Sequence, residues 1–296
     1  MTIRIPDPSE GSGGPTAVID VDGFARAVTD LLAETGAAQQ RAGAAGSEAV
    51  LARRLTEPQF ATVLNATPAG ADATVDRLLR RVSEHQATNP ERMTLLRILL
   101  LSQIDVVWWG ATEPYRDDTN LLRAPELVDL AGLRREGRLA FRYRMQPTNL
   151  PGRLARAAVR RTWPELRPHT AGLRFDRVRP QLVTVLNRVA ARLAAQVPAA
   201  PPLWVTSLAR SVEHQLRLAA LGYPAMLPSA HCVGYAADVE MAWYRRFGAA
   251  DALARILREL RTAGQLNVID EGQVWHLCLH PDVAARLSAD GTVTEG

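Results

Sequence analysis

Residues able to bind a metal ion gather in the last third of the chain. Four of the six histidines lie there, namely His214, His231, His276 and His280, and Asp238 follows His231 after seven positions. Imidazole nitrogens and carboxylate oxygens are the groups from which proteins build catalytic zinc sites. A single histidine is more often an ordinary hydrogen-bonded residue than a ligand. Only the ordered combination of these residues therefore indicates a metal site.

Two short motifs contain His231, Asp238 and His276. The first reads S-x-H-x-x-G-x-A-x-D and runs from Ser229 to Asp238, and the second is the dipeptide Trp275-His276. Upstream, Arg210 follows a predicted strand. This set resembles the zinc D-alanyl-D-alanine carboxypeptidases and dipeptidases (LAS metallopeptidases), which share their metal-site fold with the hedgehog signalling domain and the lysostaphin-type endopeptidases. The resemblance covers roughly residues 203–281.

The resemblance implies that His231, Asp238 and His276 are the zinc ligands. Two imidazoles and one carboxylate agree with a catalytic zinc site, which takes three protein ligands and keeps the fourth position for water. Gly234 would allow a tight backbone passage between the first two ligands. Zinc is therefore the expected cofactor.

The last predicted strand leaves the third ligand ambiguous. His276, Cys278 and His280 occupy alternate positions and would point to the same face of a strand. Trp275 precedes His276, as in the resembled family, and this favours His276. Cys232 is interpreted as a small buried apolar residue.

The chain departs from the family at the catalytic base. The resembled peptidases have a glutamate three residues before the second histidine, and it takes a proton from the attacking water. This chain has Gln273 there, and an amide cannot act as a general base. Glu271, on the same face of an extended strand, is a candidate substitute, as are Asp270 and Glu240. The alternative for Glu271 is a solvated turn.

The resemblance also implies residues that bind substrate. Arg210 matches the arginine that polarises the scissile carbonyl in the dipeptidases, and its structural alternative is an ion pair with Glu213. The side chains predicted to contact substrate are Ser207, Ser229 and Tyr235. The expected substrate is a small peptide-like or carboxylate-bearing molecule.

Three hypotheses about function follow. The first is a cytoplasmic zinc-dependent hydrolase of the D-Ala-D-Ala peptidase type that cleaves an amide. The second keeps the zinc scaffold but performs lyase, cyclase or transferase chemistry, because the base is missing at Gln273. The third is a non-catalytic binding module with a structural zinc ion, in which Cys278 or His280 fills the fourth coordination position.

The periodicity of apolar residues predicts an α+β fold. Residues 18–197 are predicted to be mainly helical, including a helix over residues 182–197, although residues 139–145 alternate like a half-buried strand. A proline-rich boundary at residues 197–202 precedes a small zinc-peptidase-like α+β domain at 203–296, with an antiparallel sheet. Its elements are predicted as strands at 203–206, 266–269 and 274–279, a loop entering a strand at 234–239, and helices at 211–221 and 249–263.

Composition excludes several chemistries. The chain of 296 residues has a net charge of +4 and no lysine, which excludes Schiff-base, pyridoxal-phosphate, Walker-type and kinase-type lysine chemistry. Residues 134–179 hold thirteen arginines against three acidic residues. They are predicted either to receive an acidic partner or to form solvated faces. Nucleic acid is disfavoured, since no binding motif or interleaved aromatic residues accompany these arginines.

The remaining features favour a cytoplasmic protein. Residues 1–17 are rich in Pro, Gly and Ser and are predicted to be a flexible leader, without the pattern of a secretory signal. The two cysteines provide no disulfide framework. The longest uncharged stretch, residues 218–237, is interrupted by glycine and proline, so no membrane span is expected.

Overall fold

The first half of the chain is mainly helical, as the apolar spacing predicts. The computed structural model describes residues 2–5, 17–84, 89–147 and 172–290. The helices in this half are α1 (Val21–Arg54), α2 (Pro58–Asn65), α3 (Gly70–Glu84), α4 (Asn89–Trp109), α5 (Asp118–Arg123) and α6 (Leu130–Arg135). Phe24, Phe60 and Leu100 are almost fully buried in the core that these helices share.

Two short strand pairs accompany the helices. Strand β1 (Thr2–Ile5) pairs antiparallel with β2 (Ala17–Asp20), and β3 (Val128–Asp129) pairs antiparallel with β4 (Arg177–Val178). The leader predicted for residues 1–17 therefore contains a strand. The β-branched residues in the sequence TIRI favour that strand. Residues 6–16 lie outside the described residues.

A four-stranded antiparallel sheet forms the second half, together with four helices. Its strands are β5 (Val205–Ser207), β6 (Ala236–Glu240), β7 (Leu266–Asp270) and β8 (Val274–Leu279), in the order β5-β6-β8-β7. The helices are α7 (Pro180–Gln196), α8 (Val212–Ala220), α9 (Ala250–Thr262) and α10 (Pro281–Ala289), with 3₁₀ turns at Ala230–Val233 and Ala242–Phe247. The strands and helices predicted after residue 202 are confirmed with boundaries that differ by one or two residues, whereas α10 was not predicted.

The two faces of the sheet have different neighbours because successive residues of a strand point to opposite sides. Val239, Val268 and Leu277 belong to the apolar core that includes α7 and α9. The opposite face meets α4, where the Asn267 Nδ2 amide donates to the Leu101 carbonyl oxygen at 3.0 Å. Ile269, on this second face, is fully buried in the core of the helices. The sheet therefore lies between two helical layers.

One predicted strand is wrong. Residues 139–145 bury Phe141 and Tyr143, as the alternation predicts. The segment makes only isolated parallel bridges, Arg142 with Trp204 and Met145 with Leu173. A regular strand needs a continuous ladder to a neighbour, and the bridges do not extend into one.

Across the described ranges, no helix has both the length and the apolar composition that a bilayer crossing needs.

We predict that Ile269→Ala destabilises the helices and the sheet together. The side chain is 0 % exposed in a core made mostly of helical residues, and such a truncation lowers the free energy of unfolding by about 2–5 kcal/mol. Denaturant unfolding followed by far-UV circular dichroism and tryptophan fluorescence measures the effect. Leu122→Ala, at a side chain that is 44 % exposed, is the control. A second, unshifted transition would show that the helices of the first half and the four-stranded sheet unfold separately.

Candidate metal centre

A left-handed glycine positions the first candidate ligand. His231 lies in the 3₁₀ turn Ala230–Val233, which ends at Gly234 with φ +79°. A Cβ atom at Gly234 would lie 3.2 Å from side-chain carbons of Arg179 and Leu127. The left-handed backbone angle therefore favours glycine, and any larger residue would also have to push these side chains aside; with glycine the chain can turn from His231 directly into β6.

The other two ligands face each other across the sheet. Asp238 on β6 and His276 on β8 are directly paired, and both lie on the face that meets α4. All three side chains are buried. Strand periodicity and a single tight turn thus bring together residues that are 45 positions apart in the chain.

Three atoms converge at the centre of the cluster. His231 Nε2 lies 3.1 Å from Asp238 Oδ1 and 3.2 Å from His276 Nδ1, and His276 Nδ1 lies 3.0 Å from Asp238 Oδ1. Tetrahedral ligands with zinc bonds of about 2.1 Å are about 3.4 Å apart. The spacing therefore fits a metal ion with a small outward movement of the ligands, and His231, Asp238 and His276 can hold one.

The outer nitrogens of both rings are engaged by acceptors. His231 Nδ1 lies 2.8 Å from the Leu208 carbonyl oxygen, and His276 Nε2 lies 2.8 Å from Asp105 Oδ2. A carbonyl or carboxylate oxygen only accepts, so each outer nitrogen carries the proton. In their neutral form both rings then present lone pairs to the centre, beside the Asp238 oxygen. Such an arrangement stabilises a cation.

The pKa directions agree with a centre that attracts positive charge. Burial lowers the pKa of His276, but hydrogen bonds to Asp105 and Asp238 outweigh it and raise this pKa well above the usual range. Burial raises the pKa of Asp238, yet the charges of His231 and Arg210 hold it well below the usual range. For His231, burial and then the Arg210 charge lower the pKa, which favours the neutral ring that a metal ion needs.

Asp105 on α4 is a site residue that the sequence analysis missed. Its Oδ2 accepts from His276, and its Oδ1 accepts from Asn267 Nδ2 at 2.7 Å. A carboxylate behind a ligand histidine fixes the tautomer and the ring orientation. Asp105 and His276 are 171 positions apart, and no motif connects them.

Arg210 holds the second oxygen of Asp238. Its Nη2 donates to Asp238 Oδ2 at 2.6 Å, its Nε to Ser207 Oγ at 2.8 Å and its Nη1 to Gln215 Oε1 at 3.2 Å. The alternative ion pair with Glu213 is not formed, since Glu213 pairs with Arg217 on the same helix.

A cavity of about 460 Å³ opens at the cluster. Its lining includes the three ligands together with Arg210, Ser207, Ser229 and Glu271. Burial, followed by the negative charge of Asp238, raises the pKa of the Glu271 carboxyl to about 7. A carboxyl group with this pKa can accept and release a proton near neutral pH.

Glu271 and Gln273 do not share an environment. Both lie in the turn between β7 and β8, where Gly272 has φ +85° and its N–H donates to Asp270 Oδ1 at 2.8 Å. The alternation of an extended strand therefore does not apply to them. Gln273 is exposed and lies outside the cavity lining, whereas Glu271 is half-buried within it. Asp270 stabilises the turn by accepting this hydrogen bond.

Two other candidates also have structural contacts. Tyr235 lies outside the cavity lining. Its ring is stacked on Trp109, with ring centroids 3.6 Å apart, and the Arg179 guanidinium carbon lies 4.2 Å from the Tyr235 ring centroid. Glu240 accepts from the Trp243 backbone N–H at 3.1 Å.

The remaining cysteines and histidine are also engaged elsewhere. His280 lies beyond the end of β8, where its Nδ1 accepts from the Asp282 backbone N–H at the start of α10. Cys278 is buried in a small apolar cluster with Ala230 and Ala236. Cys232 is buried, as predicted. In the part of the chain that the structure describes, the metal-binding group comprises three residues only.

The arginine-rich stretch is described only in part. Residues 148–171, which hold five of its thirteen arginines, lie outside the described residues. Within the rest, Arg138 pairs with Glu136, Arg174 with Asp118 and Arg179 with Glu126. These contacts satisfy part of the positive charge internally, and the acidic partner stays a prediction.

Comparison with protein-family models, with curated proteins and with solved structures gives no match. An assignment of function therefore depends on the geometry of the cluster and its cavity.

We predict that Asp105→Asn weakens zinc binding by about 10- to 100-fold, because loss of such a supporting carboxylate typically has this effect. A competitive chelator titration of the full chain measures the affinity. Asp282→Asn, at a side chain that is 70 % exposed, is the matched control and should bind zinc like the unmodified protein. Equal affinities for the two variants would show that Asp105 does not support the ligand.

Proposed function

We propose that this protein is a zinc-dependent hydrolase that cleaves an amide bond in a peptide-like substrate. The observation that carries this proposal is a three-ligand cluster that opens into a cavity containing the Glu271 carboxylate. Catalytic zinc sites keep one coordination position open, whereas structural sites are closed by a fourth protein ligand. In the described residues, neither Cys278 nor His280 joins the cluster, which supports a catalytic rather than a structural role.

Zinc is the metal that this ligand set suits best. Two imidazole nitrogens and one carboxylate oxygen at near-tetrahedral spacing are typical of catalytic zinc. With both imidazole rings neutral, as metal binding requires, the buried carboxylates of Asp105 and Asp238 outnumber the guanidinium of Arg210, so the surroundings carry net negative charge. A divalent cation compensates that charge.

The residues around the cavity can perform the proton transfers of amide hydrolysis. Bound zinc supplies Lewis acidity to water and to the substrate carbonyl. Glu271 accepts a proton from water as the water oxygen attacks the carbonyl carbon, and then gives this proton to the nitrogen as the carbon–nitrogen bond breaks. The products are a carboxylic acid and an amine.

Arg210 has two roles in this proposal. Three of its five N–H groups hold Asp238, Ser207 and Gln215. The remaining donors are available to the carbonyl oxygen, where negative charge develops during the attack. The resemblance to the D-Ala-D-Ala peptidases assigns the same task to this arginine.

We predict that Glu271→Gln lowers turnover of amide substrates by about 10²- to 10⁴-fold, the usual contribution of a general base, while zinc content is unchanged. Gln273→Glu should give no gain, because that side chain is exposed and outside the cavity lining. Both variants are compared by release of free amine from a library of blocked dipeptides. Full turnover in Glu271→Gln, or a large gain in Gln273→Glu, would assign the base to another residue.

We also predict an acidic limb in the pH profile of kcat/KM. The deprotonated form of Glu271 is the base, and its pKa is raised to about 7, so activity falls as the pH drops through this value. A bound cation lowers the pKa and moves the limb below pH 7. Zinc content measured at each pH is the control, since protonation of the ligands also releases metal. A flat profile down to pH 4 with zinc retained would contradict the assignment.

A further inference from the structure

The cavity changes character from its inner end to its mouth. The inner end holds the metal-binding cluster, whereas one face of α8 contributes His214 and Leu218, followed by Leu221 and Tyr223. Positions 214, 218 and 221 are spaced so that they share one face of the helix and its C-terminal cap. We call Leu218, Leu221 and Tyr223 the apolar rim.

The apolar rim is unusually exposed for side chains of this kind. Leu221 is 74 % exposed and Tyr223 is 56 % exposed. Single exposed apolar residues are common and need no explanation. Here, however, they lie together and line the same cavity as the catalytic groups, and burial of their surface by a ligand is favourable.

The arginines of the lining are already paired with carboxylates. Arg174 contacts Asp118 at 2.8 Å, Arg210 contacts Asp238 at 2.6 Å, and Arg217 pairs with Glu213. Among the described lining residues, each arginine therefore has an acidic partner. A free substrate carboxylate would therefore meet no uncompensated positive charge among these arginines, whereas an apolar group needs none.

His214 adds no positive charge at neutral pH. Burial, and then the charges of Arg174 and Arg210, lower its pKa to about 4. Its ring packs edge-on against Phe175, with centroids 6.0 Å apart. The cavity lining therefore includes two neutral rings in addition to the apolar rim.

We propose that the cavity takes an amide substrate with a bulky apolar group, which the apolar rim binds while the amide carbonyl reaches the His231, Asp238 and His276 cluster. This inference rests on the proposed hydrolase function. It narrows the small peptide-like or carboxylate-bearing substrate expected from the sequence to a peptide-like substrate of the N-acyl amino acid amide or hydrophobic peptide class.

The test uses N-acetyl-, N-hexanoyl- and N-decanoylglycinamide. Binding is measured by calorimetry on zinc-loaded, full-length Glu271→Gln, and turnover is measured on the unmodified protein. We expect affinity to rise by about 50-fold or more from acetyl to decanoyl, the gain that about three buried methylene groups give. In the Glu271→Gln background, Leu221→Ser with Tyr223→Ser should reduce this ratio to below about fivefold, chiefly by weakening binding of the decanoyl compound.

Leu122→Ser, at an apolar side chain 44 % exposed on α5 and outside the cavity lining, is the matched control and should keep the full ratio. Equal affinity for the three compounds, or an equal loss in the Leu122→Ser control, overturns the role of the apolar rim. Chain-length-dependent binding without turnover in the unmodified protein supports the apolar rim and rejects the hydrolase function.

Discussion

Two hydrogen bonds that point away from the centre of the cluster decide what the centre can bind. His231 gives its outer N–H to the Leu208 carbonyl, and His276 gives its own to Asp105. With these protons fixed, the inner nitrogens of the neutral rings join the Asp238 oxygen as acceptors around a common point. One of the outer acceptors belongs to α4, so the helical layer is part of the site. This convergence depends on the order of the strands, on the turn at Gly234 and on the packing of α4.

The sequence contains enough information to single out the three residues that form the cluster. His231 and Asp238 lie within one motif, and the apolar patterns at residues 234–239 and 274–279 predict the strands that carry Asp238 and His276, although not their direct pairing. The need for glycine at position 234 could also be argued in advance, since the chain must reverse between two ligands. These features are local, or depend on the regular geometry of neighbouring strands, and local rules are sufficient for them.

Features set by the packing of distant elements could not be predicted. Asp105 reaches His276 only because α4 crosses one face of the sheet, and no spacing rule relates a helix to a strand 171 positions away. The different environments of Glu271 and Gln273 depend on the turn at Gly272, which breaks the alternation that would have placed both on one face. Residues 139–145 show that a correct burial pattern is not sufficient for a strand. Phe141 and Tyr143 are buried as the alternation predicts, but the segment forms single bridges to its neighbours instead of a ladder.

The position of Asn267 has a consequence for stability. Its amide on β7 donates to the Asp105 carboxylate and to the Leu101 carbonyl of α4. The groups that orient the candidate ligand His276 therefore also join α4 to the sheet. An ion at this cluster would link binding thermodynamically to folding, since an ion that binds only the folded chain stabilises it by about 2.7 kcal/mol at 100 times its dissociation constant. In the proposed zinc enzyme, loss of the ion would therefore lower the thermal stability of the chain as well as its activity.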